Sequence, residues 1–342
     1  MKGSISLSYM MMMVGGSCLF VNTARSLSSK KGRVLFANAF SGVSSLSANT
    51  RTRFASTLST TTESSDVSTA DSIENKEENV DEDRWDGSPW DNPNLSERAK
   101  SKKSVRSRQH VNPLAKKFQQ QTILSDNWPT DVFQNLSKPL FLDIGCSRGG
   151  FLIDMATQRP EDYNYLGLEI RPIVVYHAKE RITRHNLDGR LDFVGCNANV
   201  DLERLLSILA AEQNRKNDDD SSTSTSSSSS SSDSCNLQMV TIQFPDPHFK
   251  ARHSKRRVVT PELVQTLAQF MPTGATVFLQ SDVQSVLDEM RIQFREQPEY
   301  FEDTYESLTD YESENIIGIP TERETSVLER DLPVYRAIFT RT

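Results

Sequence analysis

From Leu140 to Leu279 the chain alternates short apolar runs with amphipathic stretches, and that alternation limits its fold more than any other feature. Five runs have the length and composition of strands: Leu140–Ile144, Tyr165–Leu168, Leu191–Val194, Met239–Phe244 and Thr276–Leu279. Between and after them, Phe151–Gln158, Val174–His185, Leu202–Ala211, Glu262–Phe270 and Val283–Arg295 repeat apolar residues at helical spacing. Strand and helix in alternation predict a doubly wound, mostly parallel sheet covered on both faces, a Rossmann-like α/β fold. Ligands in such sheets bind beyond the carboxyl ends of the strands. Asp143, Glu169, Asn197, Asp246 and Asp282 all stand at or just past those ends.

The first strand runs into Asp143-Ile144-Gly145-Cys146-Ser147-Arg148-Gly149-Gly150, where glycines allow a tight turn and close approach of a ligand to the backbone. The glycine spacing of a dinucleotide fingerprint is absent, because Ser147 stands where its middle glycine would be. No Gly-Lys-Ser/Thr follows, which excludes a P-loop. Glu169 closes the second strand, where an acid is placed to hold both hydroxyls of a ribose. Asn197 after the third strand is suited to an adenine edge or to capping the next helix. Glycine turn, ribose acid and third-strand amide in that order favour S-adenosyl-L-methionine as cofactor.

The fourth strand delivers Gln243-Phe244-Pro245-Asp246-Pro247-His248-Phe249-Lys250. An acid between two prolines sits in a loop of limited backbone freedom that offers few hydrogen-bond donors. Lys250, Arg252, Lys255, Arg256 and Arg257 follow at once, and a fixed acid beside such a cluster suits a polyanion, nucleic acid first. The formal charge of −7 argues against this only until its distribution is seen. Residues 1–62 carry bases and no acid, residues 63–86 hold ten acids against two bases, and residues 98–117 carry eight bases and no acid. Cys18, Cys146, Cys196 and Cys235 are too widely spaced for a zinc or disulfide framework, so no metal is expected.

These shifts predict an organelle-targeting leader over 1–62 and an acidic disordered tether over 63–97. A basic N-terminal arm over 98–128 and a catalytic domain over 129–342 follow, the latter interrupted by a disordered Ser-rich insertion at 213–236. The acid-free composition is that of an organelle transit peptide, and the moderately apolar Ile5–Val21 stretch suits a two-part plastid leader. A plastid address is therefore favoured over a mitochondrial one, with cytoplasm or nucleus if the leader is not a targeting signal. Trp85 and Trp90 are expected to be solvated with their tether, and no membrane span is expected.

Five blocks in order resemble the tRNA (guanine-N7-)-methyltransferase family, in its cyanobacterial and plastid branch: Arg108-Gln109-His110-Val111-Asn112-Pro113, Asp143–Phe151, Leu168–Arg171, Pro245–Arg257 and Thr321-Glu322-Arg323-Glu324. The resemblance implies a seven-stranded class I S-adenosylmethionine-dependent methyltransferase fold with Val334–Thr340 as last strand. It implies Asp143, Gly145, Glu169, Asn197 and Asp246 at the cofactor, with Asp246 also the catalytic residue. It places Lys250, Asp282, Thr321, Glu322, Arg323 and Glu324 at a tRNA substrate, with guanine 46 of the variable loop as target and no obligate protein partner. Arg323 departs from the aromatic usual in the Thr-x-Phe-Glu block, and His248-Phe249 from the commoner Trp and its neighbour. The rival expectations are a methyltransferase of another substrate, which leaves two basic clusters idle, and a non-catalytic RNA-binding protein on the same scaffold.

Overall fold

The computed structural model describes residues 8–14, 17–23, 87–97, 110–220, 235–248 and 251–342. The chain divides into two units, Met1–Glu74 and Asn75–Thr342. In the first, β1 (Ser8–Val14) and β2 (Ser17–Thr23) form an antiparallel hairpin with Met11 opposite Phe20. The rest of the expected leader, residues 63–86 of the tether with Trp85, and residues 98–109 of the basic arm lie outside the described residues. No helix among the described residues is long and apolar enough to cross a membrane.

The second unit is built on one seven-stranded sheet of order β5-β4-β3-β6-β7-β9-β8. Its strands are β3 (Leu140–Ile144), β4 (Asn164–Glu169), β5 (Leu191–Gly195), β6 (Leu237–Gln243), β7 (Thr276–Ser281), β8 (Phe301–Asp303) and β9 (Tyr335–Arg341). β5 through β7 are parallel, and β9 lies antiparallel between β7 and β8. The period of two along β3 sorts the core: Phe141 joins one apolar cluster, whereas Leu140, Leu142 and Ile144 join the other. Leu152 and Met155 of α1 (Gly150–Gln158) and Val175 and Ile182 of α2 (Pro172–Arg184) cover the Phe141 face. Leu205 and Leu209 of α3 (Ala198–Asp220), Leu263 and Leu267 of α4 (Pro261–Phe270) and Leu287 and Phe294 of α5 (Gln284–Arg295) cover the other. Each such buried side chain contributes about 1.5–3 kcal/mol, so both faces are needed to hold the sheet.

The sheet is the doubly wound one the sequence predicts, and three differences bear on the site. α3 does not stop at Ala211 but continues to Asp220, into the expected insertion. Gln213 holds it there, donating from Nε2 to Leu136 O (2.9 Å) and accepting Asn236 N (2.9 Å), and buried Cys235 follows. Of that insertion, residues 221–234 lie outside the described residues. A short helix, α6 (Glu322–Leu328), occupies the Thr321 block, its first turn capped by Thr321 Oγ1 accepting Glu324 N at 3.0 Å. Finally, residues 87–97 of the expected tether are folded: Leu95 is buried, and Trp90 donates from Nε1 to Ile170 O at 3.1 Å. The indole fills the space over Gly195, where any Cβ would run into its ring, and packs near Phe118. A glycine in β5 makes that docking possible, which composition conceals.

Candidate active site

The carboxyl ends of β3, β4, β5, β6 and β7 open into one cavity of about 710 Å³, large enough for a cofactor-sized ligand. Asp143, Gly145, Glu169, Asn197, Asp246, Asp282, Thr321, Glu322 and Arg323 all line it. Lys250 lies outside the described residues, and Glu324 is turned away.

The turn after β3 is tightly built. Gly149 has φ 71° and faces the Phe193 ring so closely that no side chain fits, while Gly145 has φ 88°. Ser147 adopts φ 52° without being glycine, a conformation that costs an L-residue about 1–2 kcal/mol. Its hydroxyl accepts Arg171 Nη2 at 3.2 Å. Asp143 is 4% exposed and lies opposite Thr241 of β6, whose Oγ1 donates to Oδ1 at 2.7 Å. Burial, helped by the Glu169 charge and opposed by that hydroxyl, pushes the Asp143 carboxyl up to about 7.

Glu169 is equally buried but engaged on both oxygens. Its Oε1 accepts Arg171 N (2.8 Å) and Nε (2.9 Å), and its Oε2 accepts Nη2 (2.9 Å). A carboxylate has about four acceptor positions, so Arg171 leaves one open. Asn197 is committed further still. Both Nδ2 protons have takers, Pro113 O at 3.2 Å and Phe118 O at 3.1 Å, and Oδ1 accepts Asn199 N at 3.2 Å in the first turn of α3. Of the two roles open to it, the helix cap is the one seen, and its amide also holds the arm. Cys146 and Cys196 line the cavity too, but burial first and nearby carboxylates second push their thiols well up, so neither is a thiolate nucleophile.

The loop after β6 differs in kind. Phe244 (φ 50°) and His248 (φ 38°) both take left-handed backbone around Pro245-Asp246-Pro247, strain of about 1–3 kcal/mol for each residue. Asp246 is 36% exposed, and its Oδ1 lies 2.6 Å from His110 Nδ1. Burial, with Arg256 close by and Asp246 opposing, lowers the His248 titration. Of the basic run, Arg252 and Lys255 are exposed, Arg256 lines the cavity, and Arg257 is paired with Glu289 at 2.8 Å.

Across the mouth, Arg323 Nη2 donates to Asp282 Oδ2. Glu322 approaches Gly150 at the start of α1, where its carboxylate meets the positive end of a helix. Glu324 is 2% exposed and pairs with Arg336 Nη2 of β9 at 2.7 Å while accepting Asn315 Nδ2 at 2.9 Å. It anchors α6 to the sheet, which is what fixes Thr321, Glu322 and Arg323 at the rim. Buried Arg291 steadies the preceding loop, reaching Asp303 Oδ2 (2.8 Å) and the carbonyls of Ser307, Leu308 and Asp310. His110 and Arg171 were not anticipated as site residues. The signal for both lay in the blocks that carry them, 108–113 and 168–171, and not in any spacing.

A family described as "Putative methyltransferase" matches residues 137–216 and 229–337. The tRNA (guanine-N(7)-)-methyltransferase of Synechococcus elongatus is 46% identical over 239 residues, covering 69% of this chain and 97% of that protein. The protein of the same name from Microcystis aeruginosa is 44% identical over 235 residues, covering 69% and 97%. Among solved structures, the aminoglycoside resistance methyltransferase NpmB1 aligns at TM-score 0.35 and 14% identity, covering 62% of this chain and 89% of that one.

Proposed function

The chain belongs to the tRNA (guanine-N7-)-methyltransferase family, S-adenosylmethionine-dependent enzymes, and we propose that the guanine it serves is number 46 of the tRNA variable loop. The observation that carries the reading of its site is the meeting of Asp143, Glu169, Asp246, Asp282 and Arg323 at one cavity from separate strands and helices.

S-Adenosylmethionine, when bound, supplies a methyl group already activated by its sulfonium. The glycine turn at Gly145 gives its chain a close backbone approach, and Glu169 accepts from the ribose. One acceptor position is free for the first hydroxyl, and Arg171 must yield another for the second. Asn197 contributes by holding the arm against the cavity wall, since its own donors are spent. Buried Asp143, at the strand end that leads into the glycine turn, is tied to β6 by Thr241.

Guanine N7 carries an exposed lone pair and needs no base to become a nucleophile. Catalysis therefore rests on holding the base in line with the methyl group. The ring becomes cationic as the bond forms, and the Asp246 carboxylate stabilises that charge while accepting from the guanine N1–H and amino edge. The base leaves its stack to reach the cavity. Arg252, Lys255 and Arg256, with Lys250 next to them in sequence, grip phosphates, whereas Arg257 is held by Glu289.

The test is methyl transfer by the purified chain alone, with labelled S-adenosylmethionine and unmodified tRNA transcripts, followed by borohydride/aniline cleavage at N7-methylguanine. One cut in the variable loop is expected, without a protein partner. Asp246→Ala is expected to lower kcat by about 10²–10³-fold with cofactor still bound. A variant of wild-type rate would remove Asp246 from the mechanism. The cyanobacterial relatives and the acid-free residues 1–62 support a plastid address, which a fluorescent fusion would reveal.

A further inference from the structure

The reading of Asp246 as the acid beside the guanine leaves open what aims it. Its neighbours Pro245 and Pro247 have no N–H, so the adjacent backbone offers its carboxylate little. It is more than a third exposed, unlike Asp143 and Glu169. A half-exposed carboxylate on a loop rotates unless a donor fixes it. The donor present is His110 Nδ1, 2.6 Å from Oδ1 and 136 positions away in sequence. An ionised carboxylate only accepts, so Nδ1 carries the proton.

His110 is itself at the end of a fixed segment. Three residues on, Pro113 O is held by Asn197 Nδ2 (3.2 Å) and by Gln119 Nε2 (2.7 Å). Asn112 O accepts Ala115 N (3.0 Å), closing the turn. Further on, Thr122 N reaches Asp201 Oδ2 (3.1 Å) and Thr122 O accepts Arg204 Nη2 (2.7 Å). The segment is thus tied to the end of β5 and the first turns of α3, while its first residue meets the loop after β6.

We propose that His110 is the positioning residue for Asp246. Its Nδ1–H pins Oδ1, leaving Oδ2 to meet the base, and the arm fixed by Asn197 carries the imidazole there. The arm then acts in the chemistry through the acid, in addition to any contact with RNA.

Three variants of the full chain decide it: His110→Ala, His110→Asn and His110→Gln. The amide nitrogen of Asn falls where Nδ1 stands, whereas that of Gln reaches toward the place of Nε2. Alanine should lower kcat at saturating tRNA by about 10- to 100-fold, the scale of a mispositioned reacting group. KM for tRNA and the calorimetric Kd for S-adenosylmethionine should stay within about twofold, because removing a group that acts only in the transition state lowers kcat without weakening binding. Asparagine should restore most of the loss and glutamine should not. In an Asp246→Asn background, His110→Ala should cost much less than in the wild type, because the two act as one unit. An active wild type whose alanine variant keeps its kcat overturns the proposal. So does a loss confined to KM, or equal rescue by Asn and Gln, either of which would mean that His110 touches RNA directly. If alanine unfolds the protein, the contrast between Asn and Gln still decides. A wild type that transfers no methyl group overturns this inference together with the reading it rests on.

Discussion

The two sides of the cavity hold their acids in opposite ways. On the side of β3 and β4, Asp143 and Glu169 are each 4% exposed and bonded to side chains of the same sheet region, Thr241 and Arg171. On the side of β6 and β7, Asp246 and Asp282 sit on loops at 36% and 20% exposure, each held by a residue from a distant segment, His110 and Arg323. In the function proposed above, the first side takes a small cofactor, the same in every turnover, and can be set once by packing. The second side there meets a macromolecular substrate, which has to displace or slide past whatever closes it. The difference shows how one sheet can present a rigid side and an adaptable one to the same cavity.

The largest test of that contrast concerns pH. Asp143 titrates near 7 in the folded chain against 3.8 ordinarily, so between about pH 4 and pH 7 the native state binds the extra proton. The protonated acid contributes stability that is fully present below pH 4 and is lost as pH rises toward 7. At ~1.36 kcal/mol per pH unit the ceiling is about 4 kcal/mol. Asp143→Asn should therefore be more stable than wild type at pH 8, with the gap closing toward pH 4 in thermal unfolding followed across that range. Curves that stay parallel would mean that the site is wetter than its burial indicates.

Next in size is Glu169→Gln. It removes charge-assisted acceptance, worth about 1.5–3 kcal/mol, so calorimetry should give S-adenosylmethionine binding roughly 10- to 100-fold weaker with tRNA affinity unchanged. Equal weakening of both ligands would erase the division between the halves. The smallest effect is expected at Arg323→Ala, which frees Asp282 at an exposed pair. KM for tRNA should move about 2- to 5-fold and become less salt-dependent, as for a lost rim cation. A drop in Tm instead would put Arg323 with Glu324, as part of the scaffold.

The same division explains what the sequence discloses. The rigid half is built from adjacent strand ends, and continuous apolar runs ending in an acid announce those ends: β3, β4 and β5 lie within one or two residues of expectation. The adaptable half depends on distant segments. His110 meets Asp246 across 136 positions, and nothing local marks that meeting. α6 escaped because its first turn is Glu-Arg-Glu and only Val327 and Glu324 are buried, which leaves no apolar period to detect. β8 is three residues long at the sheet edge, too short to leave a pattern. Trp90 was hidden by the acids around it, and Asn197 offered two roles that only its partners could separate.

The position of β9 has a consequence for how the protein is made. Among the described strands it is the last in chain order, yet it lies inside the sheet, between β7 and β8. Until residues 335–341 emerge, β7 is an open edge, β8 has no partner, and buried Glu324 lacks Arg336. Nascent chains in that condition expose unpaired strand edges, the surfaces on which others aggregate. The sheet therefore closes late, from its far side, and α6 is fastened to it only once Arg336 has reached Glu324.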